Sequence, residues 1–298
     1  MRLAGAIMAL CCGSVLAGSA ASAAVATPIP DFSGKWGRNA FDFEALPSGP
    51  SPVTNIQRLP TGSGDPQRPI ADYRNPLLKP EAAEIVKQRA EAALKGDIFP
   101  DPSSQCAPYP PPYIFGMQLG LQMFQGKDEI TIVYNQDSQI RRVRLNATHP
   151  AHVIPSWKGD SVGRYEGDTL VIDTIGIKAS PVAVSDRYGT PFSEALHVVE
   201  RYRLIDAAVA REAQERHEKN SGRVGGPAGA MALDPDYGKG LQLQFTVEDP
   251  NVFTTPWSAS ATYRRVSLPW QELVCAENIF EYYSGKDTAI PTADKPDF

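Results

Sequence analysis

The sequence has little of what thiol or metal chemistry needs: its 298 residues contain four cysteines and four histidines. Cys11 and Cys12 lie in the leading segment. Cys106 and Cys275 are far apart without a CxxC spacing, which argues against a thiolate zinc site or a redox motif. An excess of positive charge is also missing. The 29 basic and 34 acidic residues leave a formal charge of −5, which argues against a nucleic-acid groove or an anionic-membrane patch. Beyond the leading segment no stretch approaches the roughly 18 apolar residues of a membrane-spanning helix. Phosphate-cradling glycine patterns are absent, so nucleotide binding is not expected and no cofactor is implied.

Proline, by contrast, is abundant. The chain has 27, about twice average usage, which implies much extended, irregular backbone. Sixteen of them fall between Pro28 and Pro112, where few stretches are suited to a central sheet.

The leading segment reads as a secretory signal spanning 1–23. Arg2 supplies the positive region, Leu3 to Leu16 the apolar one, and Ala21-Ser22-Ala23 a cleavage site that leaves Ala24 as the new terminus. The expected location is periplasmic or secreted. In that oxidising setting Cys106 and Cys275 read as one disulfide, worth roughly 2–5 kcal/mol if unstrained.

Residues 24–118 read as a Pro-rich wrapping arm with one short helix. Pro80 stands at its first turn, Ala82 to Lys95 are strong helix formers, and Gly96 ends it. Residues 119–298 read as the β domain. Glu129 to Asn135, Ile140 to Leu145, Thr169 to Ile175, His197 to Ile205, Leu241 to Glu248 and Ser258 to Val266 carry strand patterns separated by turn residues. The expected fold is mainly β, an antiparallel barrel or a sandwich. The helices that a parallel α/β sheet needs are missing. Residues 207–240 interrupt one strand-to-strand return as an inserted helical flap with His217 on a solvated face; a lid is the sharper alternative.

Pro155 to Thr174 (PSWKGDSVGRYEGDTLVIDT) resembles a run, P-x-W-x-GDSxGRWEGDTLVVDT, shared by a large, mostly uncharacterised family of exported bacterial proteins. Similar features are the opening DFSGKW, His149-Pro150, Glu194 to Arg203, Thr246 to Trp257 and Val274 to Asn278. The chain departs in having Tyr165 where the family has Trp, and in the insertion 207–240. The resemblance implies export and a lipocalin-like or calycin-like barrel.

Alternation along strands assigns the candidate chemistry. His197, Val199, Arg201 and Arg203 share one face; Val198, Glu200, Tyr202 and Leu204 share the other, largely apolar one. Glu200 is therefore expected to be partly buried, and a buried carboxylate needs a cation or several donors. Arg142, Arg144, Arg164 and Arg265 are possible partners. The reading is either a structural Glu–Arg pair or an acid/base, ligand-orienting group. Asp173 stands inside a strand, facing solvent or a polar lumen. His149 and His152 form an HPAH spacing; a metal site with His197 and a carboxylate such as Asp160 or Glu200 is an alternative to a hydrogen-bonding pocket wall. Nucleophilic catalysis has little support: Ser161 in GDSVG is not read as a nucleophile elbow.

Together these point to an exported barrel that binds a small apolar or aromatic molecule. Trp157, Tyr165, Tyr134 and Tyr202 would wall the site, and His149, His197, Arg164, Asp160 and Glu200 would orient the ligand or act in cofactor-free acid/base chemistry of a lyase, isomerase or hydrolase. His197 or His149 would accept the proton and Arg164 stabilise the anion. The rival classes are an envelope interaction module without a small-molecule site and a metal-dependent hydrolase.

Overall fold

The computed structural model describes residues 28–97, 99–222, 231–267 and 273–275. The expected signal segment 1–23, most of the glycine-rich stretch and the chain after 275 lie outside the described residues. The fold is mainly β: a closed nine-stranded barrel with one extra strand.

Ten strands follow in chain order: β1 (Gly34–Gly37), β2 (Glu44–Ala45), β3 (Leu121–Gln125), β4 (Glu129–Tyr134), β5 (Gln139–Leu145), β6 (Asp160–Glu166), β7 (Thr169–Ile175), β8 (His197–Asp206), β9 (Lys239–Glu248) and β10 (Trp257–Arg265). Two helices accompany them, α1 (Pro80–Leu94) and α2 (Ala207–Ser221). The strands neighbour one another as β1-β3-β4-β5-β6-β7-β8-β9-β10, and β1 returns to β10 through Trp36 opposite Arg265. The short β2 adds to β10 beside that closure. The Pro-rich front segment thus supplies one barrel strand, β1, and the extra strand β2.

All junctions are antiparallel except β5 with β6, where Leu145 pairs in parallel with Gly163. A parallel neighbour needs a long crossing connection rather than a hairpin, and residues 146–159, which carry His149 and His152, provide it. At the barrel seam Gly120 has φ +73°, and a Cβ there would lie 2.0 Å from the Trp36 carbonyl oxygen. Glycine alone lets the turn into β3 approach β1 so closely.

Period-two alternation produces the core. Ile130, Ile132 and Tyr134 of β4 and Leu241, Leu243, Phe245 and Val247 of β9 are buried while their neighbours face outward. The barrel interior is filled in part by the front segment. The 3-10 turn Tyr113–Gly116 inserts Phe115, whose ring lies 5.3 Å from Phe245, and the Tyr263 hydroxyl donates to the Phe115 carbonyl at 2.7 Å. Cys106 and Cys275 form a disulfide across a sequence separation of 169. A loop that long gives about 5 kcal/mol by the chain-entropy argument. Among the described residues no helix is long and apolar enough to cross a membrane.

α2 is docked rather than solvated. Ala210, Ala213, Gln214 and His217 are buried, and Gln214 donates to the Gly37 and Thr262 carbonyls. The expectation that His217 faces solvent is corrected: it is 5% exposed, with Nε2 2.7 Å from the Phe41 carbonyl. A helix with many charged residues still buries its short-side-chain stripe when an apolar surface is available. Burial first, then the Arg38 charge, pushes its pKa down to about 3. From the other side the β7–β8 loop grips the same front turn. The Arg187 guanidinium stacks 4.1 Å from the Phe41 ring centroid, and beside it Asp186 accepts from the Tyr188 and Thr190 amides. Burial pushes the Asp186 carboxyl up to about 6.

Candidate functional site

Inside the barrel Glu200 is fully buried, and its cation is Arg141 rather than Arg142, Arg144, Arg164 or Arg265. Arg141 Nη2 and Nη1 donate to the two carboxylate oxygens at 2.6 and 3.0 Å, and Tyr202 donates to Oε2 at 2.8 Å. The guanidinium also donates to Ser161 at 3.0 Å and Thr174 at 2.5 Å, with Tyr134 at 3.4 Å. Burial alone would lower the Arg141 pKa, but Glu200 more than offsets it and the net shift is upward. Burial pushes the Tyr134 phenol up to about 12 and Tyr202 well above its ordinary value. The four rejected arginines pair elsewhere: Arg142 with Glu129, Arg144 with Asp160, Arg164 with Glu166, and Arg265 with the Ser33 carbonyl. The bidentate geometry and the two tyrosines make this a satisfied structural knot. It uses up Tyr134 and Tyr202, which were expected to wall a ligand.

On the outer face a second string of ionisable groups crosses five strands. Arg144 holds Asp160 at 2.7 and 2.8 Å; Asp160 Oδ1 lies 2.6 Å from His149 Nδ1. The other nitrogen of His149, Nε2, is 3.0 Å from Asp173 Oδ1, and the same oxygen is 3.1 Å from His197 Nε2. His197 Nδ1 then faces Glu248 Oε2 at 3.5 Å. Registry brings these residues together, with Val162 opposite Asp173, Asp173 opposite Val199, and His197 opposite Glu248. Asp173 thus faces outward between two imidazoles, each partly shielded. The structure brings His149, Asp160 and His197 into this string, whereas Glu200 is on the opposite side of the wall.

The string ends at a cleft of about 280 Å³ lined by Lys79, Glu248, Asp249, Pro250, Phe253, Thr254, Thr255 and Pro256. Its walls are pinned: Lys79 N–H donates to the Val252 carbonyl, Thr254 N–H to Leu77, and Leu78 bridges Phe253. Asp249 is buried and accepts from Ser193 N, Ser193 Oγ and Asn251 N at 2.6, 2.8 and 3.0 Å. Elsewhere, the apolar hollow between Phe41, Phe43, Tyr113 and Tyr188 has about 10 Å³ of free space, room for a single water rather than a ligand.

The remaining expected residues are dispersed. Arg164 lies further along the outer face, exposed and bonded to Glu166. Tyr165 packs on the core with its hydroxyl accepting from Gln125 at 2.8 Å, and Trp157 packs partly buried under Lys178. His152 is exposed. Among the described residues no group of three or more His, Cys, Asp or Glu is arranged to hold a metal ion. Ser161 does stand in the Gly-x-Ser-x-Gly spacing, but inside β6 and 3% exposed, bonded to Arg141. It is not on a strand-to-helix elbow.

Residues not singled out for the site are Arg141, Asp173 and Glu248. Alternation held a signal for the first: Arg141 shares its face with Val143 and Leu145. Glu248 carried none beyond its place at a strand end. Comparison with known protein families, curated proteins and solved structures finds no match to this chain.

Proposed function

We propose that this protein is exported and binds a small, largely apolar molecule in the rim cleft, with the His149–Asp173–His197 string as its proton-handling wall. One observation carries the reading: Glu248 both lines the cleft and faces His197, so the string reaches a hollow with room for a ligand. Pro250, Phe253 and Pro256 supply apolar surface, and Thr255 and Glu248 supply polar contacts. Asp173 accepts from His197 Nε2, which orients the ring with Nδ1 toward Glu248 on the cleft wall. A ring held this way is suited to acid/base chemistry, Nδ1 taking a proton from the ligand while Asp173 supports the resulting imidazolium. No cofactor is needed for such a step.

The filled barrel interior favours a second reading, an envelope interaction module, over an interior carrier. Native mass spectrometry of protein purified from the periplasm, before and after denaturation, separates the two. The cleft reading expects an organic molecule released from the wild type and lost from Thr255→Trp, whose indole would fill the cleft. Clean masses from both proteins would overturn it in favour of the module. His197→Ala is expected to keep binding and lose any turnover.

A further inference from the structure

The outer wall of the barrel is not uniformly polar. Among the described residues eight large hydrophobic side chains are exposed, and the two that stand in strands are Phe124 of β3, 50% exposed, and Ile140 of β5, 60% exposed. Register puts them on one face. Val133 lies opposite both Gln122 and Ile140, and Thr131 lies opposite Phe124, so the outward side of β3–β4–β5 carries Phe124, Val133 and Ile140 together. Beside them runs a groove of about 720 Å³, with Gln122, Phe124, Glu129 and Thr131 in its walls. On β8, by contrast, the outward Arg201 and Arg203 are engaged by Glu166 and Asp168. Single exposed apolar residues are ordinary, but a grouped apolar face beside a groove marks a docking surface.

The chain is pinned at the end of this same face. Cys275 is bonded to Cys106, and its amide donates to Asp137 Oδ1 at 2.7 Å, within the turn Gln136–Ser138 that joins β4 to β5. Ile140 stands three residues from Asp137, within roughly 10 Å along the chain. Phe124 is two strands further, about 10 Å across the sheet. Past Cys275 the sequence groups four apolar or aromatic side chains in five positions, Ile279, Phe280, Tyr282 and Tyr283. That group begins four residues beyond the disulfide, about 13 Å of extended chain, so its reach matches the face. The short tether also holds it at an effective concentration in the millimolar range, which a second copy in dilute solution does not attain.

We infer that the segment 276–298 docks back on the outward β3–β4–β5 face, with Ile279–Tyr283 laid over Phe124, Val133 and Ile140. The disulfide then has a second role beyond closing a long loop: it sets the point from which the segment leaves. Aromatic side chains suit such a cover, because they bury a large area for few rotatable bonds. Tyrosine in addition can bury its ring and keep its hydroxyl in water.

Photo-cross-linking of the whole chain tests it, with Phe124 replaced by p-benzoylphenylalanine. Irradiation at low micromolar concentration, then digestion and mass spectrometry, is expected to join position 124 to peptides containing Ile279–Tyr283 of the same molecule. Ile140→Lys and Phe280→Glu should each cut that yield at least about five-fold, since each removes one apolar contact. Circular dichroism should show an unchanged barrel in Ile140→Lys, whose side chain points outward. A covalent dimer would mean that a second copy covers the face, and overturns the assignment. So does the absence of any cross-link to 276–298, or a yield unchanged in either variant.

Discussion

Acidification pulls two buried groups, His217 bonded to the front turn and Asp186 in the loop packed beside it, in opposite directions. His217 has a folded pKa of about 3 against 6.5 for the free side chain. The unfolded chain therefore takes up the proton first, and stability present above pH 6.5 is lost as pH falls toward 3. Between pH 7.5 and 5.0 this amounts to about 2 kcal/mol by linkage. Asp186 has a folded value of about 6 against 3.8. Here the folded state binds the proton more tightly, so lowering the pH from 7.5 to 5.0 adds about 1.4 kcal/mol. The two nearly cancel, and single variants uncover each part. Urea denaturation at pH 7.5 and 5.0, at fixed ionic strength, measures the change for wild type and variants alike. Relative to wild type, Asp186→Asn should lose about 1.4 kcal/mol more on acidification, and His217→Gln about 2 kcal/mol less. Groups common to all three proteins drop out of the comparison. If both variants follow the wild-type pH dependence, the buried pair does not set it and the reasoning fails.

Three further outcomes follow from the packing. Arg141→Met strands Glu200 in the barrel and should cost about 3–5 kcal/mol, whereas adding Glu200→Leu should recover most of that loss in the same denaturation assay. Replacing Cys106 and Cys275 by serine should remove about 2–5 kcal/mol, read as a lower denaturation midpoint; an unchanged midpoint would mean the disulfide closes no loop that matters. Gly120→Ala forces a side chain into positive φ and against the Trp36 carbonyl, so it should destabilise by more than about 1 kcal/mol. A neutral result would show that the barrel seam yields.

Strand faces were legible because alternation is a local property. Glu200 among Val198, Tyr202 and Leu204 belongs inside, and His197 outside, whatever the strands pair with. The same rule places Arg141 inside with Val143 and Leu145. Reading Arg142 and Arg144 as partners for Glu200 overlooked that phase, so this error came from the reading and not from missing information. The helix Pro80–Leu94 was equally legible, from Pro at its start and a run of helix formers.

The string from Arg144 to Glu248 was not legible as a whole. Its members come from five strands and, for His149, the β5–β6 connection, and only register and the path of that connection decide which of them touch. β1 carries four residues, Gly34–Gly37, too few for a period to show among prolines, so its part in closing the barrel was hidden. The helical character of α2 was readable, but the burial of His217 was not. That depends on the Phe41 carbonyl and Arg38 being brought against the helix from far along the chain.

By itself, then, the sequence determined the mainly β character, the inward and outward faces of the strands and the expectation of one disulfide. These follow from residue spacing and composition, which act over a few neighbours or through the counting of cysteines. Tertiary structure decided the parallel β5–β6 junction, the filling of the barrel by Phe115, the Arg141–Glu200 knot, and the separation of Glu200 from the histidines. Each depends on contacts between distant segments, where register and packing fix distances that spacing along the chain does not encode.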